Sequence, residues 1–304
     1  MTTSTRRGAT SGRPRIPHTL PRGSEASISR SLEAAPLRPG VIVSNEVLSQ
    51  DEIPRALGMT HFPHSAVASR RSELLAELAP VGPLRLDRVD LPDTTESLMI
   101  SRPVDYDRLI DDAAADPEQN LPYWAELWPS GVALAAKIAR DPAIVQGRRV
   151  LELGCGLGVT AVAAMRAGAD LLVSDYSAEA LALCSLNALE QTGTQPETLR
   201  LNWRDPGTSL DGAGNGYPVV LAADVLYERR DVDPLLALIE RIVARDGELW
   251  LAEPGRPPAA RFLESIGARG WIEESDRCCG PWPDAEDNRK GIVVSIHRLQ
   301  RRPA

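Results

Sequence analysis

Lysine is nearly missing from this 304-residue chain: Lys137 and Lys290 are the only two among 34 basic residues. Genomic base composition accounts for that bias, so it marks no site. Cysteine is sparse as well. Cys155, Cys184, Cys278 and Cys279 are too few to form a disulfide scaffold in a chain this long, and they lack the C-x-x-C spacing of zinc or redox sites. The four histidines form no ligand cluster either, so no metal is expected. No run of about 18 apolar residues exists, which excludes a membrane-spanning helix. The N-terminus MTTSTRRGATSGRPRIPHTLPRG has no hydrophobic core region and is not a secretory signal; the expected location is the cytoplasm. Basic excess is missing too, since the net charge is −8, whereas a free-standing nucleic-acid binder is more often basic. What remains is ordinary. With 43% hydrophobic and 25% charged residues, the composition excludes collagen, a coiled coil and a fully disordered chain, and suits one large or two small globular domains.

The charge is unevenly spread. Residues 1–40 carry seven arginines against two glutamates, leaving −13 on the remainder. This stretch is rich in Ser, Thr, Pro and Gly without an apolar period, so residues 1–75 are expected to be a disordered basic tail. It is either an arm that touches RNA or membrane, or a non-functional extension, with Met59 offering a shorter start. Residues 76–120 hold PLRLDRVDLP and ESLMISRP, two short strands joined by a turn, and DYDRLIDDAAA, a short helix. From Val150 strands and helices alternate. RVLELG, ADLLVSD, TLRLNW, YPVVLAAD and GELWLAE are strands with helices between most of them, and WIEESDRC and GIVVSIHRL close the chain as a pair with no helix between. The expected fold is a doubly wound α/β sheet of seven mostly parallel strands, ending in an antiparallel hairpin at one edge, with the main domain over residues 121–300.

Strand RVLELG runs into Gly154-Cys-Gly156-Leu-Gly158. Glycines at alternate positions allow a sharp turn and a close approach to a ligand, and the helix that follows offers free N–H groups. A dinucleotide fingerprint needs a small residue where Val159 stands. Glu152, two residues before the first glycine, disfavours a pyrophosphate and suits a ligand bearing an amine. Asp175, at the end of the next strand, can take both hydroxyls of a ribose. Together they indicate a nucleoside carrying an amino-acid moiety, S-adenosyl-L-methionine. The blander alternatives are a solvated strand-end acid for Glu152 and a helix N-terminal acid for Asp175.

Six segments, LPYWAELWPSGVALA, VLELGCGLG, SDYS, LNW, AADVLYE and AEPGR, resemble the seven-β-strand lysine methyltransferases, class I Rossmann-like enzymes. The branch most similar comprises the enzymes that methylate the electron-transfer flavoprotein β subunit, in which D-P-G-R stands where this chain has Glu253-Pro-Gly-Arg256. The resemblance covers roughly residues 80–300. It implies that Trp128 packs on the methionine part of the cofactor against Gly154 and Gly156, that Asp175 holds the ribose, that Trp203 lies beside the adenine and that Ala223 borders the adenosyl pocket. It further implies that Asp224 and Tyr227, the D-x-x-Y pair, serve the acceptor.

The chemistry suits these residue types. A lysine amine of pKa about 10.4 is mostly charged at neutral pH and must lose a proton before attack. Asp224 can accept a hydrogen bond from that amine, as base or only as orienting group, and Tyr227 can shape the channel; without the surrounding motifs they read as a helix cap and a core aromatic. Tyr123 and Trp124 either line the entrance or belong to the core, Glu126 contacts a ligand or lies on a helix surface, and His297 reads as structural. The resulting expectation is an S-adenosylmethionine-dependent N-methyltransferase acting on a lysine-bearing protein, monomeric and without nucleic acid or membrane partners. A small-molecule N- or O-methyltransferase on the same scaffold and a non-catalytic binder are the alternatives. A base methyltransferase would need an N/D-P-P-Y/F loop to clamp a flipped base, where this chain has Ala223-Asp-Val-Leu-Tyr227.

Overall fold

The computed structural model describes residues 66–113, 121–210, 214–283 and 291–303. Helix α1 (Ala66–Glu77) and a 3-10 turn lead into an antiparallel hairpin, β1 (Leu84–Asp90) and β2 (Ser97–Pro103), and a short helix α2 (Tyr106–Ala113). Helix α3 (Pro129–Arg140) precedes the main sheet. The sheet is then built from β3 (Arg149–Leu153), α4 (Val159–Arg166), β4 (Asp170–Asp175), α5 (Ala178–Thr192) and β5 (Glu197–Arg200). It continues through β6 (Tyr217–Ala223), α6 (Val232–Ile242), β7 (Val243–Glu253), α7 (Pro257–Ala268), β8 (Trp271–Cys278) and β9 (Val294–Arg301).

The seven strands lie in the order β5-β4-β3-β6-β7-β9-β8. Strands β3 to β7 are parallel, and β9 inserts antiparallel between β7 and β8. This is the doubly wound seven-stranded sheet with its antiparallel edge. The order reverses between β3 and β6, and in open α/β sheets ligands bind above the strand carboxyl ends at such a switch point.

Parallel strands buried on both faces read as continuous apolar runs, and VVLAA in β6 and LWLA in β7 are such runs. Two apolar layers result. One packs α3, α4, α5 and the N-terminal hairpin on the sheet through residues such as Val132, Ile138, Val150 and Leu183. The other packs α6 and α7 through Leu235, Ile239, Phe262 and Ile266. Local signals set the helix ends. Ser177 caps α5 by accepting from the Ala180 N–H at 3.1 Å, Gly193 closes it in a left-handed conformation, and α3 and α7 begin on proline.

Two elements differ from expectation. Helix α1 starts at Ala66, inside the span 1–75 expected to be tail. Only Leu74 is buried along it, so it carries little apolar period. Leu74 joins the first apolar layer, with Val67 and Leu75 packed against it, and two polar contacts add to it: Arg71 Nε to Glu190 Oε1 on α5 at 2.8 Å and Arg70 Nε to Gln195 Oε1, just beyond α5, at 3.0 Å. The rest of the expected tail, 1–65, lies outside the described residues. Strand β5 ends at Arg200, so Leu201, Asn202 and Trp203 leave the sheet instead of extending it.

The hairpin is joined to the sheet domain by side-chain amides. Asn187 on α5 accepts from the Ser101 N–H at 2.7 Å and donates to the Ser101 carbonyl at 3.0 Å and the Leu157 carbonyl at 2.8 Å. Gln191, one turn on, pairs in the same way with Met99 at 3.1 and 2.9 Å. Two amides thus satisfy the outer edge of β2, which would otherwise present unpaired backbone groups, and one of them reaches the glycine loop.

Candidate active site

A cleft of about 440 Å³ opens above the carboxyl ends of β3, β4 and β6, within the range of small-molecule sites. Eight of the ten sequence-predicted residues line it: Trp128, Gly154, Gly156, Asp175, Trp203, Ala223, Asp224 and Tyr227. Tyr123 and Trp124 line it as well. Glu152 and Gly158 do not line it and lie behind the loop.

Gly158 caps α4 with φ +81°, and a Cβ there would lie 2.7 Å from Cys184 Sγ. It lets α4 and α5 approach, so its requirement is packing. Glu152 is buried beneath the loop, and its Oε2 has no hydrogen-bond partner. Burial, helped by the charge of Asp175, pushes its carboxyl up to about 8. A buried, unpartnered carboxylate is costly, and a ligand ammonium nearby would relieve it.

The rest of the loop forms a cradle. A Cβ on Gly154 (φ +69°) would press on Val225 Cγ1 at 3.0 Å and reach Trp203 at 3.7 Å, and one on Gly156 (φ +50°) would meet the Trp124 carbonyl at 3.3 Å. Side chains at either position would fill the space over which a ligand must lie. Asp175, ending β4, accepts from the Gly156 N–H through Oδ2 and the Ser177 N–H through Oδ1, both at 3.0 Å. Burial raises its pKa and these backbone donors partly restore it. The orphaned Glu152 oxygen, the glycine cradle and the strand-end acid fit a ligand with a cationic amino-acid end and a ribose.

The opposite part of the cleft is aromatic and acidic. Trp128 precedes α3, and its indole N–H donates to the Tyr123 carbonyl at 2.7 Å. Tyr123 meets Trp128 edge-on at 6.1 Å between ring centroids and Tyr227 at 5.2 Å, both favourable geometries. The Tyr227 side chain is partly open to solvent, and burial of its hydroxyl, with nearby acids, raises its pKa. Asp224 follows β6 in a left-handed conformation, φ +59°, which Asp tolerates better than most residues. Its N–H donates to the Ala252 carbonyl at 2.9 Å. Its carboxylate accepts from Ser130 Oγ at 3.0 Å and forms an ion pair with Arg256.

The spacing of the sequence does not show the pairing of Arg256 with Asp224, nor Ser130 beside it. Serine in the W-P-S-G segment was the available signal. Glu126 is paired with the buried Arg102 at 3.1 Å, which ties the aromatic segment to β2. His297 is buried between two acids, with Nε2 3.3 Å from Glu253 and Nδ1 2.6 Å from Glu273. Among the described residues no cluster of His, Cys, Asp and Glu could hold a metal ion.

Comparison with known proteins agrees with this geometry. Residues 118–267 match the family model described as lysine methyltransferase. The electron transfer flavoprotein beta subunit lysine methyltransferase of Xenopus laevis is 33% identical over 156 residues, 48% of this chain and 59% of that protein. A ubiquinone biosynthesis O-methyltransferase of Brucella melitensis is 30% identical over 44% of this chain and 54% of its own length. A protein N-terminal and lysine N-methyltransferase of Cryptococcus neoformans is 28% identical over 48% and 52%. The chain therefore spans between half and three fifths of the length of these relatives. The part of the chain that carries the cleft is similar to class I S-adenosylmethionine-dependent methyltransferases.

Proposed function

We propose that the protein transfers a methyl group from S-adenosylmethionine to the side-chain amine of a lysine in a protein substrate. The observation that carries this is the shared cleft of a buried carboxylate, Asp224, and three aromatic residues, Tyr123, Trp128 and Tyr227. Such a set suits an ammonium, which gains from a carboxylate and from ring faces together. The name of the Xenopus relative, an electron transfer flavoprotein beta subunit lysine methyltransferase, supports the same class of acceptor.

When bound, S-adenosylmethionine supplies an electrophilic methyl on a sulfonium, ready for in-line displacement by a nucleophile. Gly154 and Gly156 would cradle it, with Asp175 on the ribose, Trp128, Trp203 and Ala223 bordering it, and Glu152 balancing its amino group. The protein's own contribution is positioning and exclusion of water. Asp224 accepts a hydrogen bond from the amine and aims its lone pair, while Ser130 fixes the other carboxylate oxygen. Tyr123 and Tyr227 wall the channel.

The test uses tritiated S-adenosylmethionine with lysate of the source organism, the wild type and Asp224→Ala. The expected result is a labelled protein seen only with wild type, whose label maps to methyl-lysine by mass spectrometry. Asp224→Ala should retain cofactor affinity within about threefold while losing transfer. Label confined to the small-molecule fraction would overturn the protein acceptor and favour the chemistry named for the Brucella relative.

A further inference from the structure

Arg256 stands where the proposed acceptor cation has to go. Its guanidinium pairs with Asp224 and lies over the Trp128 ring, 5.7 Å from the centroid. Those two groups are half of the set assigned above to an incoming ammonium. The arm is held from behind. One Glu253 oxygen accepts from the Gly255 N–H at 2.5 Å and the Arg256 N–H at 3.2 Å, while the other meets His297, which is held in turn by Glu273. The base of the arm is therefore fixed by backbone hydrogen bonds, while its tip rests on Asp224 and Trp128. The Arg256 side chain is 32% exposed, against 5% for that of Asp224.

This asymmetry has a consequence. A buried carboxylate left without a positive partner is strongly disfavoured, so Asp224 needs a cation at rest. The part-exposed guanidinium can rehydrate on leaving, so another cation that takes its place at Asp224 can release it into solvent. Arginine and an acceptor ammonium compete for one carboxylate oxygen, because Ser130 engages the other.

Resting on the lysine-acceptor reading, we propose that Arg256 is a resident stand-in for the acceptor cation. It occupies Asp224 and Trp128 in the absence of acceptor and is displaced by it, so that only an acceptor bringing its own positive charge opens the site. Arg256 then acts as a selectivity residue. A neutral hydroxyl acceptor has no charge with which to relieve Asp224 and leaves the arm in place.

The experiment measures binding of n-butyltrimethylammonium, a permanent cation shaped like the end of a methylated lysine. It is titrated calorimetrically into the full chain saturated with S-adenosylhomocysteine. Wild type, Arg256→Ala and Arg256→Gln are compared, the glutamine variant preserving bulk should the alanine variant fail to fold. The expected result is binding about tenfold or more tighter in the Arg256 variants, with the gain abolished by adding Asp224→Asn. A mere brace would give the opposite sign, because losing it loosens the site. Equal or weaker binding in the variants overturns the stand-in and leaves Asp224 as an ammonium site. No binding by any of the proteins, with S-adenosylhomocysteine binding intact, overturns the acceptor reading itself.

Discussion

Replacing Glu152 by glutamine should stabilise the unliganded protein and weaken its hold on the cofactor. Glu152 is 2% exposed, its Oε2 has no partner, and burial moves its carboxyl from 4.5 to about 8. In the unfolded chain it ionises at the ordinary value. Between about pH 4.5 and 8 the unfolded state therefore releases its proton first, and stability falls as pH rises. At neutral pH this amounts to about 3 kcal/mol. Glutamine has the shape of the protonated acid without this penalty. At about 2–4 °C per kcal/mol for a body of this size, the variant should melt about 6–12 °C above wild type at pH 7, with a gap under about 1 kcal/mol at pH 5. The cofactor reverses the balance. An ammonium near Glu152 favours the carboxylate, so binding at pH 7 should release about 0.9 proton in wild type and none from this position in the variant. Calorimetry in two buffers of different ionisation enthalpy reads that number, and the variant should bind about tenfold to a hundredfold more weakly. A variant that melts at or below wild type from pH 5 to 8, or wild-type binding without proton release, would refute the reasoning.

Asn187→Ala leaves two Ser101 backbone groups and the Leu157 carbonyl without their amide partner. It should cost about 3–5 kcal/mol in urea unfolding, and a loss under about 1 kcal/mol would mean that the clamp is not used. For His297, burial lowers the imidazolium, but hydrogen bonds to Glu253 and Glu273 outweigh it and the pKa is raised. Its contribution is full below about pH 6.5 and is lost as pH climbs through the raised value. The stability gap between wild type and His297→Gln should therefore shrink from pH 6 to 9, and a flat gap in melting scans would contradict this. Gly158→Ala adds a left-handed alanine costing about 1–2 kcal/mol and an overlap with Cys184 worth about 1–3 kcal/mol. Cys184→Ala should recover part of the overlap, and a cofactor-affinity loss exceeding the stability loss would return Gly158 to the ligand.

What was legible in the sequence follows periodicity and local turn chemistry. The parallel strands announce themselves as apolar runs, and Ser177 and Gly193 mark the ends of α5 because capping is a local event. The glycine loop was legible as a cradle, yet the same pattern did not distinguish Gly154, which faces the cleft, from Gly158, which faces Cys184. That difference depends on which helix lies behind the loop. Helix α1 shows little apolar period because Leu74 alone is buried along it, and Arg71 and Arg70 find partners 119 and 125 positions away. The Arg256–Asp224 pair joins residues from the ends of two strands, and Asn187 reaches back 86 positions to Ser101. Such pairs leave no trace in spacing; only the register of β6 on β7 and the docking of the hairpin create them.

Four neighbouring strands each end at or beside a carboxylate, and their environments divide them. Asp175 on β4 is satisfied by backbone N–H groups, and Glu152 on β3 keeps an unpartnered oxygen. Neither is paired with a cationic side chain among the described residues. Across the switch point, Asp224 after β6 is paired with Arg256, and Glu253 on β7 meets His297. The acids without a resident cation therefore sit on the β3–β4 side, where the glycine cradle admits a ligand. On the β6–β7 side the charge is already answered by the protein's own cations. A cofactor ammonium entering the first half meets no resident cation and has only the proton of Glu152 to displace, whereas under the proposed reading an acceptor cation entering the second half must displace Arg256. The sheet thus distinguishes its two ligands by what each must evict, with acids of the same kind serving both.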